Sequence, residues 1–174
     1  MDVPSDRLTE ENEGVLGPEE LAERIALLDG VAFFGGLTEP ARALVAKSMQ
    51  REKYALGSKM FSFGEIGDKL FVVASGKVRI SRNVSGMGEE ALAVLGPGQV
   101  FGEMSLFDEA PRSADAIVHE SCEVLTITRA AFDELLFLHK GLAYEVLWNA
   151  VKILSSRLRE TNDKLTFLSM SQKF

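Results

Sequence analysis

Between residues 57 and 98 turn signals recur every few residues: Gly57-Ser58, Gly64, Gly67-Asp68, Ser75-Gly76, Gly86, Gly88 and Gly96-Pro97-Gly98. Between 142 and 174 there is neither a glycine nor a proline. A helix of ordinary length cannot run through the first stretch, and no turn chemistry interrupts the second. The apolar or alternating runs left between the turns, near 70–74, 77–82, 91–95, 114–119 and 122–128, read as strands. Many short strands at regular spacing predict an antiparallel β-roll, a jelly-roll-like barrel. Its span is 53–132.

Helical signals flank it. "GPEELAERIALLDG" (17–30) has a proline for a first turn, two acids at the positive end of the dipole and a glycine stop. "TEPARALVAKSMQ" (38–50) has Thr38 as a cap. "TRAAFDELL" leads out of the roll, with Gly141 as a flexible point. Beyond it Leu147, Val151, Leu154, Leu158, Thr161, Leu165 and Leu168 are spaced 4, 3, 4, 3, 4 and 3 apart. That is a heptad seam with one polar slot, on a helix roughly 50 Å long at about 1.5 Å per residue. An amphipathic helix could pack on its own barrel. The unbroken 3.5-residue period over this length favours a partner helix, hence a homodimer through residues 142–174.

The charge is uneven. The net charge is −7, of which −6 falls on residues 1–20, leaving −1 for residues 21–174. Residues 1–20 read as a disordered acidic tail, because they cannot bury enough apolar surface to order. A near-neutral body lacks the basic face that nucleic acid requires. One cysteine, Cys122, excludes a disulfide framework or a Cys-based metal site within one chain. The N-terminus has no apolar run for a signal peptide, and no segment has the roughly 18 apolar residues of a membrane helix, so a cytoplasmic protein with no membrane partner is expected.

The chemistry concentrates in "FGEMSLFDEAPRSA" (101–114). Two glycines carry a strand into a short apolar segment whose first N–H groups form an anion cradle. Gly102 allows close backbone approach. Arg112 offers a planar fork for a phosphate. Glu103 would repel a phosphate, but a carboxylate accepts well from a sugar hydroxyl. Phosphate on one side and ribose hydroxyl on the other describe a nucleotide. In isolation, Arg112 would read as a surface arginine and Glu103 as a helix-start acid.

This segment resembles the phosphate-binding cassette of cyclic-nucleotide-binding domains, the family of sensor domains found in bacterial catabolite activators and kinase regulatory subunits. The resemblance covers about residues 25–170 and includes "LLDGVAFFGGL", "GEIGDKLFVVASGKVRI" and "CEVLTITRAAFDELL". It implies that Glu103 accepts the ribose 2′-hydroxyl, that Arg112 pairs with the cyclic phosphate and that Ser113 donates to phosphate or base. Backbone N–H groups of Gly102, Glu103, Met104 and Ser105 would complete the cradle, and Ile80 and Leu95 would wall the pocket. "SRLRETNDKL" is similar to the catabolite-activator dimer helix, which implies base contacts from Thr161 and Asn162. Two residues depart from the family pattern: Phe63 stands where a polar or acidic residue is common, and Glu109 where glycine is common.

The resemblance implies a domain over 21–174, with N-terminal helices (21–52), the roll, and a C-terminal dimerisation helix (133–174). It also implies cyclic AMP as ligand, with no further cofactor. The activators continue into a DNA-binding domain and this sequence does not, so a stand-alone sensor acting on an effector protein is the expectation. The alternatives are a nucleotide-independent adaptor, or a sensor of cyclic GMP or a cyclic dinucleotide. An enzyme is not expected, since His119 and His139 are the only histidines and have no partners at metal-ligand spacing.

Overall fold

The computed structural model describes residues 16–171 except 85 and 87; the acidic stretch 1–15, most of the expected tail, lies outside them. Helix α1 (Pro18–Asp29) starts inside that expected tail, with Pro18 in its first turn and Gly30 after its last. A single 3-10 turn at Ala32–Phe34 and helix α2 (Glu39–Ser48) follow. Then come β1 (Gln50–Tyr54), β2 (Lys59–Phe61), β3 (Lys69–Val84), β4 (Gly88–Leu95), β5 (Val100–Phe101), a short helix α3 (Met104–Asp108) and β6 (Asp115–Thr128). Helices α4 (Arg129–Leu138) and α5 (Lys140–Ser171) complete the chain.

All strand pairs are antiparallel, in the order β1-β6-β3-β4, with β2 added to β6 and β5 to β3. The expected β-roll with flanking helices is therefore present. The long strands β3 and β6 form its backbone and are buried on both faces over Leu70–Val73 and Val124–Ile127. Leu70 and Val72 face a core shared with the helices, containing Phe33, Phe34, Leu125, Ile127, Phe132 and Val146. Phe71 and Val73 face a second core inside the roll, with Tyr54, Val78, Phe101, Cys122 and Val124. Alternate side chains of one strand thus feed two cores, which is why "LFVV" carries no polar alternation.

Three boundaries differ from the expectation. The runs 70–74 and 77–82 belong to one strand, and so do 114–119 and 122–128. The ladder shifts register around residues 73–78, where Gly76 has φ +76°. A Cβ on Gly76 would lie 2.3 Å from the Ser121 carbonyl oxygen, so glycine makes a bulge there and the strand bends without a turn. The roll begins at Gln50, three residues earlier than expected, and the last residue assigned to the second helix is in β1. "QREKY" has no apolar alternation because its inner polar group is satisfied: the Glu52 carboxylate accepts from Lys69 Nζ (2.8 Å), Thr126 Oγ1 (2.9 Å) and the Tyr54 hydroxyl (2.5 Å). Burial pushes this carboxyl up, but those hydrogen bonds and the Lys69 charge outweigh it and hold Glu52 below its ordinary value.

Helix α5 begins before Gly141, which lies in its first turn with open space around it. The break from α4 is at His139 (φ −123°, ψ 79°), so the joint between the two helices is one residue of non-helical backbone rather than the glycine. Leu142, Val146 and Ala150 pack into the helical core, and Asn149 Nδ2 donates to the Gly35 carbonyl (2.7 Å). The heptad seam lies on another side: Leu147, Val151 and Leu158 are exposed and Leu154 is half-buried. The Leu168 side chain is outside the described residues.

Candidate functional site

A cavity of about 570 Å³ lies between the roll and α5. Its floor is the stretch from Val100 to Ser105, one side is Ile80 with Leu92–Leu95, and its roof is one face of α5. Nine of the ten expected ligand residues line it: Gly102, Glu103, Met104, Ser105, Arg112, Ser113, Ile80, Leu95 and Thr161. Asn162, next to Thr161 on the helix, is exposed and not among the lining residues.

The cassette geometry follows from Gly102. Its φ of +74° turns the chain from β5 into α3. A Cβ there would lie 2.6 Å from Arg112 Nη1, so any other residue would displace the arginine. Arg112 is 4 % exposed. Its Nη1 donates to the Gly102 carbonyl and its Nη2 to the Lys69 carbonyl, both at 2.8 Å. The guanidinium lies 4.3 Å from the centre of the Phe61 ring and 5.6 Å from that of Phe71. Its Nε is buried with no hydrogen-bond partner. Arg24, Arg42, Arg51 and Arg79 share that condition; Arg112 alone of the five lines the cavity. Burial lowers the Arg112 pKa, the carboxylates of Asp68, Glu65 and Glu103 oppose that shift, and Arg129 adds to it. A guanidinium keeps its charge under such a shift, so the cavity wall carries a fixed, partly desolvated cation.

The loop 62–68 braces this cation from outside. The Gly64 N–H donates to the Arg112 carbonyl (2.9 Å) and the Arg112 N–H to the Glu65 carbonyl (2.8 Å), a two-bond clamp that fixes the arginine backbone. Phe63, the departure noted in the sequence, takes no part in the wall: it is half exposed, with the Arg82 guanidinium 4.1 Å from its ring centre. The other departure has a backbone consequence. Glu109 follows α3 and is the one non-glycine with positive φ (+56°) among the described residues. A glycine would suit this position without the left-handed penalty.

Glu103 is 2 % exposed and precedes α3. Its Oε1 accepts from Arg157 Nη1 of α5, and Arg157 Nη2 donates to the Val100 carbonyl at 2.9 Å. Arg157 was not singled out in the sequence, because its partner is 54 residues away. The signal available was its place one helical turn before Thr161, on the same face. Thr161 Oγ1 donates back to the Arg157 carbonyl (2.8 Å), and Glu160 and Lys164 extend the same polar roof. Ser113 is exposed at the rim, with its hydroxyl 3.9 Å from Met104 Sδ.

The cavity thus offers a buried guanidinium, a buried carboxylate and apolar walls. That donor set suits a compact organic anion carrying a hydroxyl. Among the described residues no group of three or more His, Cys, Asp or Glu side chains could hold a metal, and no helix is long and apolar enough to cross a membrane.

Comparison with known proteins agrees with this geometry. The chain is 40 % identical over 145 residues to the cyclic AMP receptor protein of Thermus thermophilus, covering 83 % of this chain and 65 % of that protein. The Thermus thermophilus catabolite activator protein structure superposes with a TM-score of 0.71 at 40 % identity, over 79 % of this chain and 63 % of that one. A cyclic nucleotide-binding domain from Methylobacillus flagellatus shares the fold, with a TM-score of 0.75 at 24 % identity, over 85 % and 83 % of the two chains. The chain therefore spans just under two thirds of its Thermus relatives. The model of the cyclic nucleotide-binding domain matches residues 51–139, from β1 through the cassette to the end of α4, and the chain belongs to that family.

Proposed function

We propose that this protein is a regulator that binds cyclic AMP in the cavity between the roll and α5 and passes its occupancy to a partner through α5. The observation that carries the reading is the joint burial of Arg112 and Glu103 on one cavity wall, with Gly102 between the two groups. Arg112 meets the cyclic phosphate, and its Nε and the hydrogens not used on carbonyls are the available donors. Glu103 accepts the ribose hydroxyl beside Arg157. The purine lies toward Ile80, Leu95 and Thr161. The preference for cyclic AMP over cyclic GMP is supported by the naming of the Thermus relative as a cyclic AMP receptor.

Occupancy reaches α5 because the helix is part of the pocket: Arg157 and Thr161 face the ligand space, and Thr161 is also the polar slot of the seam that Leu147, Val151, Leu154 and Leu158 form. A second copy of α5 is the occupant that a 3.5-residue repeat suits. The dimer then brings two pockets to one helix pair, and an effector protein reads the arrangement.

Isothermal calorimetry with cyclic AMP, cyclic GMP and cyclic di-GMP tests the reading. Cyclic AMP should bind most tightly. Arg112→Ala should weaken it by about one to two decades, the cost of leaving a phosphate without its charged donor. Equal cyclic AMP affinity in Arg112→Ala and wild type would remove the site assignment.

A further inference from the structure

Gly67 reads in the sequence as half of a turn signal, yet it is not among the glycines with positive φ. What requires a glycine there is space. A Cβ on Gly67 would lie 2.4 Å from the Ser105 Cβ, 2.6 Å from its Oγ and 2.9 Å from Arg112 Cζ. All three are well inside ordinary non-bonded contact, so an added methyl must displace something. Ser105 and Arg112 line the cavity, and Gly67 stands behind them.

Neither neighbour has room to yield. The Arg112 backbone is clamped by Gly64 and Glu65, its Nη1 and Nη2 are held by the Gly102 and Lys69 carbonyls, and its face lies on Phe61. Gly102 closes a second side of the same guanidinium. Ser105 is 3 % exposed within α3. Its carbonyl and that of Gly67 accept from one nitrogen, Arg129 Nη2, at 3.1 Å for Gly67. A single donor thus draws the loop backbone and the helix backbone together. The gap left between them holds one substituent, and Ser105 supplies it.

We propose that Gly67 and Ser105 are a positioning pair: the summed size of their side chains sets the gap between the loop 62–68 and α3, and with it the seat of the Arg112 guanidinium. The consequence for ligand rests on the cyclic-nucleotide reading above. The pair is reciprocal. With Ser105 in place, the methyl of Gly67→Ala is driven onto the guanidinium. Combined with Ser105→Gly, the same substitution only moves the one substituent to the other partner. The remaining contact, with Arg112 Cζ, is the longest of the three, and a loop freed of Ser105 needs only a small retreat to relieve it.

Four proteins test this: wild type, Gly67→Ala, Ser105→Gly and the double variant, each titrated with cyclic AMP by calorimetry. Gly67→Ala should weaken binding by about tenfold or more in the wild type, and by less than about threefold in the Ser105→Gly background; sites that share no space give equal losses. A loss as large in the Ser105→Gly background, or no loss in the wild type, overturns the proposal. A second readout needs no ligand. The Arg112 guanidinium lies over the Phe61 ring, whose ring current displaces the guanidinium resonances. Gly67→Ala should move those resonances and added Ser105→Gly should bring them back; unmoved resonances overturn the pair. If Gly67→Ala alone fails to fold, the double variant decides: folded with its Arg112 resonances in place it supports the pair, and unfolded it overturns it. If the wild type binds neither cyclic AMP nor cyclic GMP, the binding reading fails, and the Arg112 resonances by themselves still decide the positioning.

Discussion

At the scale of residues, the site is a set of buried charges whose partners are mostly backbone. Arg112 gives two donors to carbonyls and stacks on Phe61, so it is held in place before any anion arrives. Preorganisation of this kind lowers the cost of binding. Glu109 is the opposite case, a residue whose backbone is held against its preference. An L-residue in the left-handed region costs roughly 1–2 kcal/mol, and the Glu109 side chain is itself 84 % exposed, so its 3.8 Å contact with Arg129 returns little. Glu109→Gly should therefore raise the thermal midpoint by about 2–4 °C per kcal/mol recovered, read from a calorimetric melt. A lower midpoint would mean that the added freedom of glycine in the unfolded chain outweighs the relieved strain. Chemistry at this scale was legible where it was local: Gly102, Glu103 and Arg112 lie within eleven positions of one another. Arg157 was not legible, because nothing near it in the chain announces a carboxylate brought in by the fold.

At the scale of elements, α5 has two working faces. Leu142, Val146 and Ala150 bury one, and the seam occupies another. Charges placed in an apolar interface are costly to desolvate. The double variant Leu154→Asp with Leu158→Asp should be monomeric where the wild type is dimeric, by light scattering. A wild type that remains monomeric at high concentration, with and without cyclic AMP, would leave the seam without its second helix. The heptad spacing was readable because a helix repeats its own face regularly. The strands were readable in position but not in extent. Gly76 carries the same turn signature as Gly96-Pro97-Gly98, and only the neighbouring Ser121 and Cys122 backbone shows that it serves a bulge. β1 was missed because "QREKY" places its polar group against Lys69 and Thr126, and long-range satisfaction of a buried carboxylate leaves no local pattern.

At the scale of the whole molecule, the two cores are not independent, since β3 and β6 feed both. Separate melting of roll and helices would need one strand to be ordered on one face and free on the other. We expect a single cooperative transition in urea. Cys122 reports the inner core: it is 3 % exposed, and burial pushes its thiol up to about 11. At pH 8 it is protonated and shielded, so trapping by a thiol reagent should follow global unfolding. Its trapping curve and the loss of helical circular dichroism should share one midpoint. Two separated midpoints would show that the helical layer and the roll unfold independently. The shared strands also bear on how such a pocket changes over generations. A substitution in β3 or β6 meets one core directly and loosens a strand that also serves the other, so the Arg112 end of the cavity is tied to the stability of the entire domain. The remaining walls are cheaper to alter: Leu92 and Val94 on β4, and Glu160, Thr161 and Lys164 on α5, are exposed while lining the cavity. Mutation can revise them without touching a core, so selection can reshape this side of the cavity while the Arg112 end stays fixed.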